Sequence, residues 1–293
     1  MNDAAAVAAR LGPGWSARPL HASGFTATWR AERGDRALFV KTLPAERAAT
    51  LEAEADGLAA LAATATVRVP AVHACEVDAG MALLALEWLD LRAPDANFGA
   101  RLGAALAALH RRIPEHGGGR YGWQRDNFLG ATPQRNCWSA ADGLAGWIAF
   151  FGSERLGALR DRLAPVEPAL AQAVDAVIDR LPRCFDDGHA PRASMIHGDL
   201  WSGNRGMLAD GTPAFWDPAV SCSDAEAEVA MVELFGAPPP GFWAAYRAAA
   251  GLHPGYARRR GLYQFYHLLN HALLFGGGYV AQSQALARRL AGA

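Results

Sequence analysis

The apolar pattern of this chain changes once along its length, near residues 90–94, and the change restricts the folds that it can adopt. Before that point, residues 26–32 and 37–43 alternate or run apolar with β-branched and aromatic side chains, which is typical of strands. Residues 48–63 instead repeat their apolar positions at the spacing of a helix. The first part of the chain is therefore predicted to be a small β-rich unit with one inserted helix.

The part after the change is predicted to be mainly helical, with one short strand near residue 215. Helical spacing recurs in six segments, residues 98–112, 142–164, 168–185, 224–236, 241–251 and 258–278. Strands grouped ahead of helices favour the α+β class. We expect two lobes, residues 1–89 and residues 90–293, with a hinge at the boundary between them.

Composition and charge argue against several classes of partner. The chain has 293 residues, 51% of them hydrophobic, and a formal net charge of −1, so no general attraction to nucleic acid or to an anionic membrane is expected. The apolar runs are too short to cross a bilayer, and the first residues lack the pattern of a signal peptide. The four cysteines are widely separated, which argues against a zinc site or a disulfide framework. We expect a cytoplasmic protein and favour a monomer.

A polar motif interrupts the helical part at residues 195–208. It contains His197, Gly198 and Asp199, and Asn204 follows the aspartate by five positions. The kinase pattern His-Arg-Asp-x4-Asn has this spacing; its aspartate accepts the proton of the attacking hydroxyl, and its asparagine holds Mg²⁺. A polar loop tied down by its own hydrogen bonds would also explain the motif.

Three further residues fit the same chemistry when they are taken in order along the chain. Lys41 stands inside an apolar strand, Glu54 follows on the predicted helix, and Asp217 ends a short apolar run before a proline. Kinases grip nucleotide phosphates with a strand lysine paired to a helix glutamate, and Mg²⁺ prefers carboxylate oxygens. Glu52 competes with Glu54 but would project from another face of the helix. The plain alternatives are a lysine that snorkels outward and an aspartate that only forms a turn.

A sequence that carries these residues in this order resembles the kinase-like phosphotransferases and, more closely, the fructosamine/ketosamine-3-kinase family. The resemblance spans nearly the whole chain and is carried by residues 126–138, 197–204, 215–220, 224–236 and 262–279. It implies a bilobal protein-kinase-like fold and ATP-dependent phosphorylation of the 3-hydroxyl of a fructosamine or ribulosamine, a deglycation-type activity. Two alternatives stay open: a kinase of another small hydroxylated amine, similar to an aminoglycoside, and a non-catalytic nucleotide-binding protein.

The resemblance also implies roles for individual positions. Asp199 would be the catalytic base, and Asn204 and Asp217 would hold Mg²⁺. The nucleotide contacts would come from Lys41 and Glu54, from the hinge residues Glu87, Trp88 and Leu89, and from Ser23 and Gly24 in the loop over the phosphates. This loop has Gly24 alone where the family usually carries paired glycines, which weakens the expectation of close backbone approach to phosphate.

Three aromatic or titratable positions have two interpretations each. Trp201 either stacks on the sugar substrate or only props the polar loop. His267 and His271 lie four residues apart on one predicted helix face, but no third metal ligand accompanies them, so we interpret them as core histidines.

Overall fold

The computed structural model describes residues 3–22, 26–78 and 80–292. The N-terminal lobe is built from two helices and five strands: α1 (Ala4–Leu11), β1 (Ser16–Ala22), β2 (Ala27–Arg33), β3 (Arg36–Pro44), α2 (Ala48–Ala63), β4 (Val72–Asp78) and β5 (Met81–Glu87). All strand pairs are antiparallel, and the sheet order is β1-β2-β3-β5-β4. The predicted β-rich unit with helix 48–63 is confirmed.

The N-terminal sheet is covered on both faces near its centre. Six consecutive residues of β5, from 81 to 86, are buried. Such a continuous apolar run is what a strand buried on both faces requires. One face packs against Leu51, Leu58 and Leu61 of α2, while Val7 of α1 is buried against the other. This buried core fixes the position of α2 against the sheet that contains β3.

The C-terminal lobe contains helices of very different length and several short strands. The elements up to residue 178 are β6 (Leu91–Arg92), α3 (Phe98–His110), β7 (Asn127–Leu129), β8 (Thr132–Gln134), α4 (Gly143–Phe150), α5 (Ala158–Leu163) and α6 (Pro168–Ile178), with a π-helical stretch, Phe151–Gly157, joining α4 to α5. The later elements are β9 (Ser194–Ile196), β10 (Arg205–Leu208), β11 (Pro213–Phe215), β12 (Ser221–Ser223), α7 (Ala225–Leu234), α8 (Phe242–Ala250), α9 (Tyr256–Phe275) and α10 (Gly278–Gly292).

Three small sheets position the polar motif between the lobes. Strand β10 pairs with β11 and β6, β9 pairs with β12, and β7 pairs with β8. The motif therefore runs from the end of β9 to the start of β10, while a second loop, residues 216–220, runs from β11 to β12. Phe215 N donates to Arg68 O (2.8 Å), which ties this region to the N-terminal lobe.

The α+β class is confirmed, and the differences lie in individual elements. The first helix, α1, and the last, α10, were not predicted. The segment 168–185 is helical only to Ile178 and then forms a 3₁₀ turn around Pro182, because proline cannot donate the backbone bond that an α-helix needs. Within the part of the chain that the structure describes, every helix is either too short or too polar to cross a membrane.

Candidate active site

The polar motif is held by buried hydrogen bonds on both sides. His197 Nε2 donates to Trp216 O (2.9 Å), and His197 Nδ1 accepts from Asp199 N (3.3 Å). From helix α7, the Glu228 carboxylate accepts from His197 N (2.9 Å) and from Gly198 N (2.6 Å). His197 is completely buried and orients the loop.

The backbone at Gly198 has a conformation that needs glycine. Its φ is +88°, and a Cβ placed there would lie 2.0 Å from Ala219 O. The left-handed region is unfavourable for other residues, and here the backbone of the neighbouring loop also closes the space. The motif can therefore turn directly against residues 216–220.

Asp199 and Asn204 face each other across this turn. Asn204 Nδ2 donates to Asp199 O (2.8 Å) and to Asp199 Oδ2 (3.1 Å), so the amide fixes the rotamer of the carboxylate. Burial and the nearby charge of Asp217 raise the pKa of the Asp199 carboxyl well above its ordinary value. A carboxylate with a raised pKa is better suited to accept a proton from a hydroxyl.

Asp217 stands just after β11 in a strained conformation. Its φ is +57°, which is uncommon for a residue other than glycine and recurs at functional sites. Asp217 Oδ1 lies 2.5 Å from Lys41 Nζ. The contact joins the second loop to the central strand of the N-terminal sheet.

Lys41 on β3 also pairs with Glu54 on α2. Lys41 Nζ lies 2.8 Å from each carboxylate oxygen of Glu54, whereas Glu52 is exposed and lies 3.6 Å from Arg125. Burial alone would lower the pKa of Lys41, but the Asp217 and Glu54 carboxylates raise it above its ordinary value. Burial raises the pKa of Glu54 to about 7, against the effect of Lys41. The ammonium group thus stays charged.

One cleft of about 640 Å³ brings these side chains together. The predicted residues that line it are Lys41, Glu54, Asp199, Trp201, Asn204 and Asp217. The donor set fits Mg²⁺, a hard cation that takes carboxylate and amide oxygens together with phosphates. Among the described residues, Asn204 donates through Nδ2 and its Oδ1 accepts no hydrogen bond, so that oxygen is available for a metal ion.

An adjoining apolar cavity of about 290 Å³ lies at the predicted hinge. Trp88 and Leu89 line it together with Phe39, Leu86 and Trp216. A mostly apolar cavity of this kind suits a heterocyclic base.

The Glu87 side chain, at the edge of this cavity, stabilises the neighbouring loop. It accepts hydrogen bonds from Arg68 Nη2 and from Ala71 N (3.1 Å). Burial would raise the pKa of the Glu87 carboxyl, but these two donors lower it below its ordinary value.

A third cavity, of about 460 Å³, meets the cleft at Asp199 and Trp201. Trp201 is 39% exposed and lies over Gly203, where an added Cβ would be 2.2 Å from its ring. The tryptophan therefore props the loop while it also lines both the cleft and the third cavity.

Sequence reasoning missed the other aromatic residues of this cavity. They come from three helices: Phe235 follows the last residue of α7, His271 and Phe275 lie near the end of α9, and Tyr279 lies at the start of α10. His271 had been interpreted as a core histidine together with His267. The spacing of His271 and Phe275, four residues apart on α9, marks a shared helix face but not a cavity wall.

The block 126–138 supports the loop that carries Asp217. Asn127 Nδ2 donates to Val220 O (2.8 Å), and Gln134 Nε2 donates to Asn127 Oδ1 (2.7 Å). Tyr266 OH in turn donates to Gln134 Oε1 (2.7 Å). Ser23 and Gly24, predicted in the loop over the phosphates, lie outside the described residues.

Comparison with known proteins relates the whole chain to one group of kinases. The fructosamine kinase family profile matches residues 13–292. A protein named as a probable ketoamine kinase in Synechocystis is 40% identical over 259 residues, which are 87% of this chain and 83% of that protein. The chloroplastic protein-ribulosamine 3-kinase of Arabidopsis thaliana is 35% identical over 253 residues, 85% of this chain and 74% of that protein.

Solved structures give the same grouping. A crystal structure from Haemophilus somnus, provisionally named a fructosamine-3-kinase, has a TM-score of 0.84 and 25% identity and covers 98% of this chain and 96% of its own. A thermostable mutant of the aminoglycoside phosphotransferase APH(4)-Ia, in a ternary complex with AMP-PNP and hygromycin B, has a TM-score of 0.64 at 14% identity, with 94% of this chain and 92% of that chain covered. The second likeness establishes the kinase-like fold.

Proposed function

The chain belongs to the fructosamine kinase family, a family of phosphotransferases, and from that premise we propose that it transfers the γ-phosphoryl group of ATP to the 3-hydroxyl of a sugar ketoamine. The acceptor would be a fructosamine or a ribulosamine, and the activity would be of the deglycation type. The names of its relatives, ketoamine kinase and protein-ribulosamine 3-kinase, support this substrate class.

One observation carries the proposal. Asp199 lies where two cavities meet, the polar cleft that contains Lys41, Asn204 and Asp217 and the aromatic cavity that contains Phe235. A phosphoryl donor in the first and a hydroxylated acceptor in the second would therefore meet at this carboxylate. Direct transfer requires that kind of junction, because donor and acceptor must lie in line.

The mechanism assigns each side chain a limited task. Asp199 orients the acceptor hydroxyl and receives its proton while the oxygen bonds to phosphorus and the bond to the leaving ADP oxygen breaks. Lys41, positioned by Glu54, neutralises phosphate charge, and the hinge cavity at Trp88 and Leu89 receives the adenine. Bound Mg²⁺ would supply further neutralisation of phosphate charge, and Asn204 and Asp217 would hold it. Closure of lobes 1–89 and 90–293 around the cleft would exclude water.

The test is phosphate transfer from ATP to fructosyl-lysine and ribulosyl-lysine, with the phosphorylated carbon located by NMR. We expect a 3-phosphate product. Asp199→Asn should lower kcat by about 10²- to 10⁴-fold, as loss of a general base does, and should leave ATP binding in a thermal-shift assay intact. Asp210→Asn, which changes an exposed aspartate in the β10–β11 turn, is the matched control.

The other outcomes separate the alternatives. A nearly active Asp199→Asn enzyme would contradict the base assignment. Transfer to aminoglycosides but not to ketosamines would identify a kinase of other amine-bearing acceptors. ATP binding without transfer to any acceptor would indicate a non-catalytic nucleotide-binding protein.

A further inference from the structure

The cavity beside Asp199 has a continuous aromatic wall. The ring of Phe235, at the end of α7, lies 6.1 Å from that of Trp201 and 5.0 Å from that of His271. His271 on α9 lies 5.0 Å from Tyr279 on α10. Phe235 is 40% exposed and Phe275 is 54% exposed, so the wall is a contiguous apolar surface open to solvent. An exposed aromatic wall at a cavity mouth marks a place where a ligand covers the rings.

The charge of this cavity is one-sided. Of the described residues that line it, Asp199 is the one with an acidic side chain, and no lysine or arginine is among them. An anionic acceptor such as a sugar phosphate would meet no compensating cation there. A cationic acceptor would meet one carboxylate and the negative faces of several aromatic rings, which attract cations.

Two hydrogen-bond acceptors on α9 have no donor among the described residues. Asn270 is 2% exposed and lines the cavity; its Nδ2 donates to Leu129 O (3.2 Å), and its Oδ1 has no partner. His271 Nδ1 donates to His267 O (2.8 Å), which leaves Nε2 as the unprotonated nitrogen. A buried amide oxygen without a donor costs free energy unless a ligand supplies an N–H or O–H group.

We propose that the aromatic wall of Phe235, His271 and Tyr279 is the site that receives the protonated amine of the acceptor. Alkylamines are protonated at neutral pH, so a ketosamine brings both a cation and N–H donors to this wall. The wall thereby selects ketosamines over neutral ketoses and over sugar phosphates. The inference rests on the proposed function and assigns it a specificity determinant in the cavity that adjoins the phosphate cleft.

A pair of substrates that differ in one group isolates the effect of the positive charge of the acceptor amine. We would compare 1-deoxy-1-propylamino-fructose with 1-O-propyl-fructose, in which a neutral ether oxygen replaces the ammonium group, and repeat the pair with ribulose. The wild-type enzyme is expected to prefer the amine in kcat/KM by about tenfold or more, the scale of a desolvated cation–π contact. Phe235→Leu and Tyr279→Leu should each bring the amine-to-ether ratio toward one, and Phe235→Tyr should retain it.

The amine-to-ether ratio of kcat/KM distinguishes a specificity role from a structural one. General damage to the fold would lower the activity on both substrates together and leave this ratio unchanged. Trp15→Leu is the matched control; this tryptophan lies in the N-terminal lobe, with the Arg33 guanidinium 4.9 Å from its ring. A wild-type ratio near one would overturn the aromatic-wall proposal and leave the proposed function standing. Absence of transfer to every ketose derivative, with ATP bound, would overturn both.

Discussion

Lys41 is the single lysine of the chain, so its ammonium group can be followed chemically without interference from other lysine side chains. It is buried, and it contacts Glu54 and Asp217, which come from a helix and from a loop of the other lobe. A buried ammonium between two carboxylates is well placed to exchange one of them for a phosphate oxygen.

Replacement of Lys41 by methionine should lower kcat/KM for ATP by about 100-fold or more, because a preorganised charge next to the phosphates is lost. Steady-state kinetics with a ketosamine acceptor measure this. In protein labelled isotopically at lysine, the single side-chain ammonium NMR signal should shift when Mg·ATP binds. Arg36→Met, at the exposed end of the same strand, is the control, and an unchanged kcat/KM in Lys41→Met would refute the phosphate-binding role.

At the scale of single residues, the sequence was sufficient to predict contacts between side chains on elements that follow each other directly in the chain. The lysine-to-glutamate spacing across β3 and α2 is set by a strand followed directly by a helix, and the structure places Glu54, not Glu52, against Lys41. Phe235 and Tyr279 could not be found in this way. They reach one cavity only because α7, α9 and α10 pack together, and no spacing in the sequence records that packing.

At the scale of elements, helix α7 fixes the polar motif through one side chain. Its first turn is capped by Asp224, which accepts from Glu226 N (3.1 Å), and Glu228 follows one turn later. The Glu228 carboxylate meets three donors: His197 N, Gly198 N and His110 Nε2 (3.0 Å). Burial would raise the pKa of Glu228, but its histidine neighbours lower it below its ordinary value. The helix thus presents a charged carboxylate to the loop.

Glu228→Gln should destabilise the fold by about 1–3 kcal/mol, since one amide end donates instead of accepting and leaves a buried N–H without a partner. It should also lower kcat, because Gly198 and therefore Asp199 lose their anchor. Urea unfolding and steady-state kinetics measure the two effects. Glu233→Gln, on the same helix but paired with Tyr256 and Arg260, should reduce stability without the same loss of kcat. Equal kcat values for the two variants would contradict the anchoring role.

The limits of sequence reasoning at this scale lie in element ends and irregular stretches. Helix 48–63 was predicted with its observed bounds because its apolar spacing is uninterrupted. Helix α10 was missed because Gly276, Gly277 and Gly278 indicate termination, although the chain resumes a helix at Gly278. The π-helical stretch 151–157 continues the apolar pattern of its neighbours, so periodicity cannot distinguish it.

At the scale of the whole molecule, the order of strands before helices was sufficient to predict the fold class. It was not sufficient to predict the three small sheets that bring residues 197–204 and 216–220 together. Their strands are two to four residues long. The pairs β10–β6 and β9–β12, which set the position of the two loops, join segments distant in sequence. Short strands of this kind are stabilised by tertiary context, which single-sequence patterns do not contain.

A buried ionic network in the C-terminal lobe links the segments that follow α6 with α7 and α9. His189 Nε2 lies 2.8 Å from Asp224 Oδ2 and His189 Nδ1 lies 3.8 Å from Glu226 Oε1. Arg259 joins Glu226 (2.7 Å) to Asp187 (2.6 Å). Tyr263, His253 and Phe185 complete the surroundings of these groups. Burial would lower the pKa of His189, but the Asp224 and Glu226 carboxylates raise it above its ordinary value.

The raised pKa of His189 predicts how stability depends on pH. Because the folded protein holds the His189 proton more tightly than the unfolded chain does, the stabilising contribution is complete below the unfolded value of about 6.5 and is lost as pH rises through the folded pKa. Thermal unfolding of the wild type and of His189→Gln between pH 5.5 and 9 should give a Tm difference that is largest at the acidic end and shrinks toward pH 9. His73→Gln, at an exposed position on β4, is the matched control for the loss of a histidine side chain. A Tm difference that grew with pH would mean that His189 is neutral in the folded protein, and the ionic pair with Asp224 would then not be what joins α7 to the loop before β9.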